Sequence, residues 1–332
     1  MKHLVVINPH SFIVPDSLNQ FQAHLAAGFA AEQVPDYKVH ISRYPRDAIA
    51  VISHYINSVP DNETVRVYAV GGDGILFDCL NGMVAFKNAE LTCMPYGNSN
   101  DFVRAFGNES MSAFRDIRKL IHAPAHPVDI IHCGANYAIN EANVGLIGQT
   151  IVHANALFPR LPKKWLRKNI GLAFSLCGLW AILNDNATKQ HYSVRVDGED
   201  MSGCYINIQM ANAPCNGGVM LANPYAKPDD GLIDLIFFDS CPNLKILRSI
   251  GNYQKGLFEK FDFYRHKSCR VIEVKSDTMM RVQIDGEGFY AKEIKFEIVP
   301  GGIRFFAPEG LDFVDYSHKA YKSAARKAGG RK

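Results

Sequence analysis

The stretch "VYAVGGDGILFDCLNGM", residues 67–83, limits the fold more than any other part of the chain. A wholly apolar run stops at Gly71-Gly72-Asp73-Gly74, and a helix-like pattern starts at once. A buried strand running through glycines directly into a helix is half of a βαβ unit, and βαβ units make parallel sheets. Glycine lets a backbone approach an anion closely. The following helix presents N–H groups and the positive end of its dipole at the same point. The loop is neither GxGxxG nor GxxxxGK[ST]. Asp73 is ambiguous in it, since a carboxylate beside phosphate needs a bridging divalent metal, or else serves as a helix cap.

The surrounding 125 residues repeat this alternation. Strand patterns at 4–8, 37–42, 64–70 and 91–96 alternate with helix patterns at 16–32, 46–58 and 74–86. Asp16 or Ser17 is the expected cap of the first helix, with Leu18, Phe21, Leu25 and Phe29 on one face. Ligands of such sheets sit beyond the carboxyl ends of the strands. Asn8, Gly71 and Gly97 all fall at expected strand ends.

After Pro124 and Pro127 the periodicity changes to 2. Runs at 127–145, 191–212, 231–238, 269–276, 279–300 and 302–308 read as strands, with Asp197-Gly198 and Asp285-Gly286 as hairpin turns. Only 146–184 interrupts them, with a basic and apolar helical pattern. The expected organisation is an α/β domain over 1–126 and an antiparallel β-sandwich over 127–308, with 309–332 packing back on the first domain.

Composition narrows the class. With 332 residues, 47% hydrophobic, 21% charged and a net charge of +3, the chain reads as a globular protein without a nucleic-acid field. The positive charge is concentrated at 160–169 and 318–332, which lack acids and can meet an anionic membrane surface. The eight cysteines form no CxxC pair, which argues against a zinc or redox site. The start, MKHLVVINPH, is strand-like and too short in apolar residues for a signal peptide, so the expected location is cytoplasmic. The 14 apolar residues at 170–183 fall short of the ~20 needed for a span.

Five stretches carry residues suited to chemistry. Asn8 and Ser11 in "NPHS" can reach phosphate or ribose. Gly71–Gly74 is the glycine loop. "MPYGNSNDFVRAFG" (94–107) offers short polar groups after Gly97. "ANAPCNGGVMLANPYAKPDDGLIDL" (211–235) brings Asp229-Asp230-Gly231, which can cap a turn or hold a hard cation. Asp285-Gly286-Glu287 puts a carboxylate at a hairpin end, where it can act as a general base or simply as a solubilising acid.

In this order the five stretches resemble the diacylglycerol kinase catalytic family, in particular the bacterial lipid kinases that also resemble sphingosine kinases. That family has an NPxSG turn, a GGDGT loop, a GTGNDFAR-like segment, a GG…P.A..DDG.LD segment and a late DGE. They stand here as residues 8–12, 71–75, 97–104, 217–234 and 285–287, so the match runs from residue 4 to about 308. The resemblance implies a nucleotide-binding α/β domain and a C-terminal β-sandwich, with the active site in the cleft between them. It implies that Gly71, Gly72, Asp73 and Gly74 hold ATP phosphates with help from Asn8 and Ser11, and that Ser42 and Asn98 lie near the nucleotide. It further implies that Asp101 and Asp129 lie near metal and phosphates. Mg2+ would be held by Asp230 with the carbonyls of Lys227 and Leu232. Glu287 would be the base acting on a lipid hydroxyl.

The expected activity is therefore ATP-dependent phosphorylation of diacylglycerol or a related lipid at a membrane surface. Peripheral association would run through residues 157–183. The alternatives are a nucleotide- or lipid-binding member without turnover, and a kinase of a soluble substrate such as NAD. Phe12 and Ile75 motivate the former, replacing the family's Gly and Thr, as Asn98 and Ser99 replace Thr and Gly. A homodimer is one arrangement compatible with the pattern.

Overall fold

A computed structural model describes residues 1–12, 14, 16–184, 190–218 and 220–317. The basic stretch 318–332 lies outside the described residues. The chain forms two units, Met1–Ile130 with Pro300–Val314, and Ile131–Val299 with the described residues after Val314.

In the first unit, β1 (Lys2–Ile7), β2 (Tyr37–Ile41), β3 (Val65–Gly71) and β4 (Ala89–Pro95) are parallel, in the order β2-β1-β3-β4. The helices α1 (Ser17–Ala31), α2 (Asp47–Asn57) and α3 (Asp73–Met83) connect them, and the short α4 (Met111–Phe114) and α5 (Ile117–Ile121) follow. Every residue of β3 and β4 is buried, Arg66 and Glu90 included, and the rest of both strands is mostly apolar. Phe21, Leu25 and Phe29 of α1 are buried as expected, whereas Leu18 is only half-buried. Asp16 occupies the N-cap position at φ 60°, but its side chain makes no capping bond. The strand order reverses beside β1, so the ends of β1 and β3 form the switch point at which open α/β sheets bind ligands.

Buried Arg66 ties the far end of this sheet to α5. Its Nε donates to Glu90 Oε2 at 2.9 Å, and its Nη atoms donate to the carbonyls of Leu120, Ile121 and Ala123. Arg66 thereby adds donors to carbonyls at and just beyond the C-terminus of α5, where helix carbonyls run short of intrahelical partners. Pro300–Val314 also belongs here, unlike the expected limit at 308. Arg304 and Phe305 pair in parallel with Glu90 and Leu91. Phe313 packs on Phe106 with ring centroids 4.5 Å apart, and Val314 N donates to Ala105 O.

The second unit takes over within β5 (Ala125–Cys133) and continues through β6 (Asn136–Ala138), β7 (Glu141–Gly145), α6 (Leu146–Leu157), α7 (Lys163–Lys168) and α8 (Ile170–Asn184). Then follow β8 (His191–Val196), β9 (Glu199–Asp200), β10 (Gly203–Ala211), β11 (Ile233–Asp239), α9 (Asn243–Tyr253), β12 (Tyr264–Cys269), β13 (Val271–Ile284) and β14 (Glu287–Phe306), the last as far as Val299. Its strand pairs, β10 with β7, β8 and β11 and β13 with β7, β8 and β14 among them, are antiparallel. Both Asp-Gly turns take positive φ at both residues, 49° and 87° at Asp197-Gly198, and 45° and 90° at Asp285-Gly286. That is the signature of tight hairpins. The run expected at 279–300 takes in the end of β13, the Asp285-Gly286 turn and most of β14, which continues into the strand expected separately at 302–308, and β12 and α9 were not expected. All eight cysteines are free thiols, and no helix of the described residues is long and apolar enough to cross a membrane.

Candidate active site

The glycine loop is held shut against the end of β1. Gly71 ends β3 with φ +153°, a conformation that side chains rarely adopt. A Cβ there would meet Ile75 Cγ2 at 2.9 Å and both Asn8 Cβ and Ser11 Oγ at 3.1 Å. Asn8 and Ser11 therefore line the same point as Gly71, as their sequence positions suggested. Asn8 N donates to Val70 O, and the Asn8 side chain accepts from His10 N, which fixes the short turn at Pro9–Ser11. Gly72 is the N-cap residue of α3 and has no side chain to cap it, while Gly74 is exposed. The helix N-terminus is thus left open, with the backbone shape an anion requires.

The loop after β4 locks onto the first one. Tyr96 N and Gly97 N both donate to Gly71 O, at 2.9 and 2.8 Å. A Cβ on Gly97 would stand 2.2 Å from Gly72 Cα, so the two backbones touch. Asn100 takes φ 52° and closes its own turn, accepting from Gly97 N at 3.1 Å and donating to Gly97 O at 2.9 Å.

Asp73 settles between its two expected roles in an unforeseen way. It is the first residue of α3 rather than its cap, and its carboxylate grips the second loop. Asn100 N donates to Oδ2 at 2.9 Å and Asp101 N to Oδ1 at 2.6 Å. Burial pushes this carboxyl above the usual carboxylate range, against the pull of those two N–H groups and the charge of Arg104. Arg104 in turn donates through Nε to Ser99 O at 3.0 Å. Asp73 thus assembles the site from within.

The other expected residues of this unit have definite places. Asn98 is exposed on the second loop, and Asp101 is buried behind it. Ser42 follows β2, with its N–H on Ile7 O and its hydroxyl on Tyr44 O at 3.2 Å. Asp129 is buried in β5 and accepts from Gly301 N at 2.7 Å. Phe12, which stands where the family has glycine, stacks on Tyr96 at 5.1 Å and packs on Phe21 at 5.1 Å.

Lys227, Asp230, Leu232 and Glu287 lie in the second unit. Asp230 Oδ1 accepts from Leu232 N at 3.0 Å, closing the turn around Gly231, whose φ is +75°. Among the described residues no group of three or more His, Cys, Asp or Glu is placed to hold a metal. A cation site here would therefore need backbone carbonyls and phosphate or water oxygens, the donor set hard cations favour. Glu287 opens β14, half-buried, directly opposite Ile284 across the turn.

Buried polar groups not expected from the sequence support that turn. The Asp285 carboxylate accepts from the N–H groups of Ile139 at 2.7 Å, Asn140 at 3.1 Å and Glu141 at 2.9 Å. Beside it, Glu141 accepts from Gln209 Nε2 at 2.9 Å and from Asn216 Nδ2. Burial, and then the charge of Asp285, push the Glu141 carboxyl up to about 8. Asn143 bridges Gln283 and Asn207 across three strands, at 2.9 and 3.0 Å. The only sequence signal for this ladder is polar residues recurring in otherwise apolar strands.

Comparison with known proteins agrees with this architecture. Residues 2–133 match the diacylglycerol kinase catalytic domain, and residues 162–307 match the YegS C-terminal NAD kinase beta sandwich-like domain. A "Probable lipid kinase YegS-like" protein of Shewanella frigidimarina is 27% identical over 83% of this chain and 86% of its own. A protein of the same description from Chromohalobacter salexigens is 28% identical over 74% and 76%. The crystal structure of a diacylglycerol kinase from Bacillus anthracis superposes with a TM-score of 0.67 at 18% identity, covering 94% of this chain and 98% of that one. That likeness is one of fold. The two models match in order along the chain, a diacylglycerol kinase catalytic domain over residues 2–133 followed by a YegS-type C-terminal domain over 162–307.

Proposed function

We propose that this protein transfers the γ-phosphoryl group of ATP to a hydroxyl of diacylglycerol or a related lipid. The carrying observation is the double glycine loop at the switch point, where Gly71–Gly74 and Gly97 meet backbone to backbone and leave the N-terminus of α3 open. Triphosphate is the ligand that suits such a backbone cradle. The relatives named as lipid kinases support a lipid acceptor.

In this reading ATP phosphates rest on Gly71, Gly72 and Gly74, with Asn8, Ser11, Ser42 and Asn98 around the nucleotide. Asp73 keeps the two loops in register. Asp101 and Asp129, and Asp230 with the Lys227 and Leu232 carbonyls, are the oxygen donors for Mg2+. Magnesium, when bound, neutralises phosphate charge. Glu287 takes the proton of the lipid hydroxyl as its oxygen bonds to the γ-phosphorus. The bond from that phosphorus to the bridging oxygen breaks, and ADP leaves. Phosphoryl transfer asks little more of a protein than such positioning and charge control.

Radiolabelled ATP with magnesium and mixed lipid micelles tests the proposal. Wild type labels a lipid and Glu287→Ala does not. Equal labelling by the two, or none by wild type, removes the catalytic reading. Mass spectrometry of the product identifies the lipid.

A further inference from the structure

Residues 142–184 contain no Asp or Glu, yet include Arg160, Lys163, Lys164, Arg167 and Lys168. From Leu146 onward they fold as α6, α7 and α8 with short connections. In α8 the usual distribution of size is inverted. Its inner face is mostly small, with Ala173, Cys177 and Ala181 buried beside Ile182, and with Gly178 against Thr150 of α6. The large apolar residues face outward. Leu172, Leu176, Leu179 and Leu183 recur at helical spacing and are 54, 51, 36 and 59% exposed. Trp180 beside them is 59% exposed. A helix that faces water carries polar residues there.

The tryptophans point the same way. The chain has two, and both are exposed, Trp165 on α7 and Trp180 on α8. Tryptophan is enriched where apolar and aqueous phases meet. Arg160, Lys164 and Lys168 around them are exposed as well. The 15 residues of α8 span about 22 Å, against about 30 Å for a hydrocarbon core. The helix suits the plane of an interface and is too short to cross it.

We propose that α7 and α8 are a docking face for an anionic lipid bilayer. Leu172, Leu176, Leu179, Trp180 and Leu183 enter the acyl boundary, and Arg160, Lys164 and Lys168 meet headgroup phosphates. Charge selects this occupant over a second copy of the chain. Two copies of this face would oppose cation to cation with no acid of the segment between them, whereas an anionic surface neutralises the cations. The inference extends the lipid-kinase reading to how the chain reaches its substrate. Its test uses no ATP, so its failure and that of the kinase reading are seen separately.

The full chain is mixed with vesicles of phosphatidylglycerol and phosphatidylcholine, or of phosphatidylcholine alone, and followed by co-sedimentation and tryptophan emission. The expected result is binding with a blue shift on the anionic vesicles only, reversed by high salt. In Trp165→Phe and Trp180→Phe variants, brominated acyl chains quench the remaining indole. Lys164→Gln with Lys168→Gln weakens binding about thirtyfold. Leu176→Glu with Trp180→Glu abolishes it while circular dichroism stays that of wild type, since both positions are exposed. Three results overturn the proposal. One is folded wild type that ignores anionic vesicles, and another is equal binding to both vesicle types. The third is a blue-shifted dimer without lipid that the Leu176→Glu, Trp180→Glu pair dissociates, which would make this face a self-interface.

Discussion

Gly97→Ala is the sharpest probe of how the site is assembled. An added Cβ falls 2.2 Å from Gly72 Cα and 2.7 Å from Gly72 N, and both contacts are backbone. No rotamer relieves them. Ordinary contact begins at 3.4 Å, so the loops must part by roughly 1.2 Å. The bonds from Tyr96 N and Gly97 N to Gly71 O, at 2.9 and 2.8 Å, lie in that same gap. Losing one or both costs about 1 kcal/mol each, and overpacking adds about 1–3 kcal/mol. The expected destabilisation is about 2–5 kcal/mol by urea unfolding. Calorimetric ATP affinity falls at least tenfold with it, because the cradle opens. Gly72→Ala is the internal control. Its Cβ would meet Gly97 Cα at 3.2 Å, a strain of a few tenths of an ångström. That variant should lose less than about 1 kcal/mol. If Gly97→Ala unfolds within 0.5 kcal/mol of wild type, or if Gly72→Ala proves the worse of the two, the backbone contact is not what holds the site.

Two further perturbations follow from the buried carboxylates. Asp73→Asn keeps the shape but sets an amide NH2 against one of the two N–H donors of Asn100 and Asp101. It should cost about 1.5–3 kcal/mol in urea unfolding, and an unchanged midpoint would show that Asp73 does not clamp the loops. Glu141 holds its proton more tightly when folded, about 8 against an ordinary 4.5. Between those values the native state binds more protons than the unfolded chain, so stability declines as pH rises from about 4.5 to about 8. Glu141→Gln should flatten the dependence of the urea midpoint on pH across that window. A slope equal to that of wild type would assign the titration elsewhere.

What the sequence displayed depends on how locally each feature is determined. β3, the glycine loop and α3 were legible because the buried end of the strand, 67–70, is apolar throughout and the glycines mark where it stops. Both Asp-Gly hairpins were legible because few residue pairs accept two positive φ angles in succession. β12, "YRHKSC", was not, because it pairs with β11 and leaves its charged side chains to solvent, which erases the alternation. The continuity of β14 was hidden by Pro300-Gly301, which looks like a turn yet lies within an unbroken strand. In the candidate site, the residue types at the strand ends were visible, and the structure brings Asn8, Ser11, Gly71–Gly74 and Gly97 together. Asp73 reaches partners 27 and 28 residues away, and Asn143 one 140 residues away. No spacing rule encodes such pairings.

Ile75 is where sequence and structure give opposite advice. The family has threonine there, and a lost hydroxyl on phosphate suggests weakened ATP binding. But Ile75 is 4% exposed, and its Cγ2 lies 2.9 Å from where a Cβ of Gly71 would stand. Its side chain is packed behind the loop and supports the backbone that Gly71 presents. Phe12 has likewise been taken into packing, against Tyr96 and Phe21. Restoring threonine would remove buried apolar atoms and bury a hydroxyl in their place. The Gly71 carbonyl, one acceptor in reach of that turn, already receives two N–H groups. Ile75→Thr should therefore destabilise the protein by about 1–3 kcal/mol and leave calorimetric ATP affinity unchanged or lower. A tenfold gain in affinity would mean that residue 75 faces phosphate, and that the loop is held by something other than this contact.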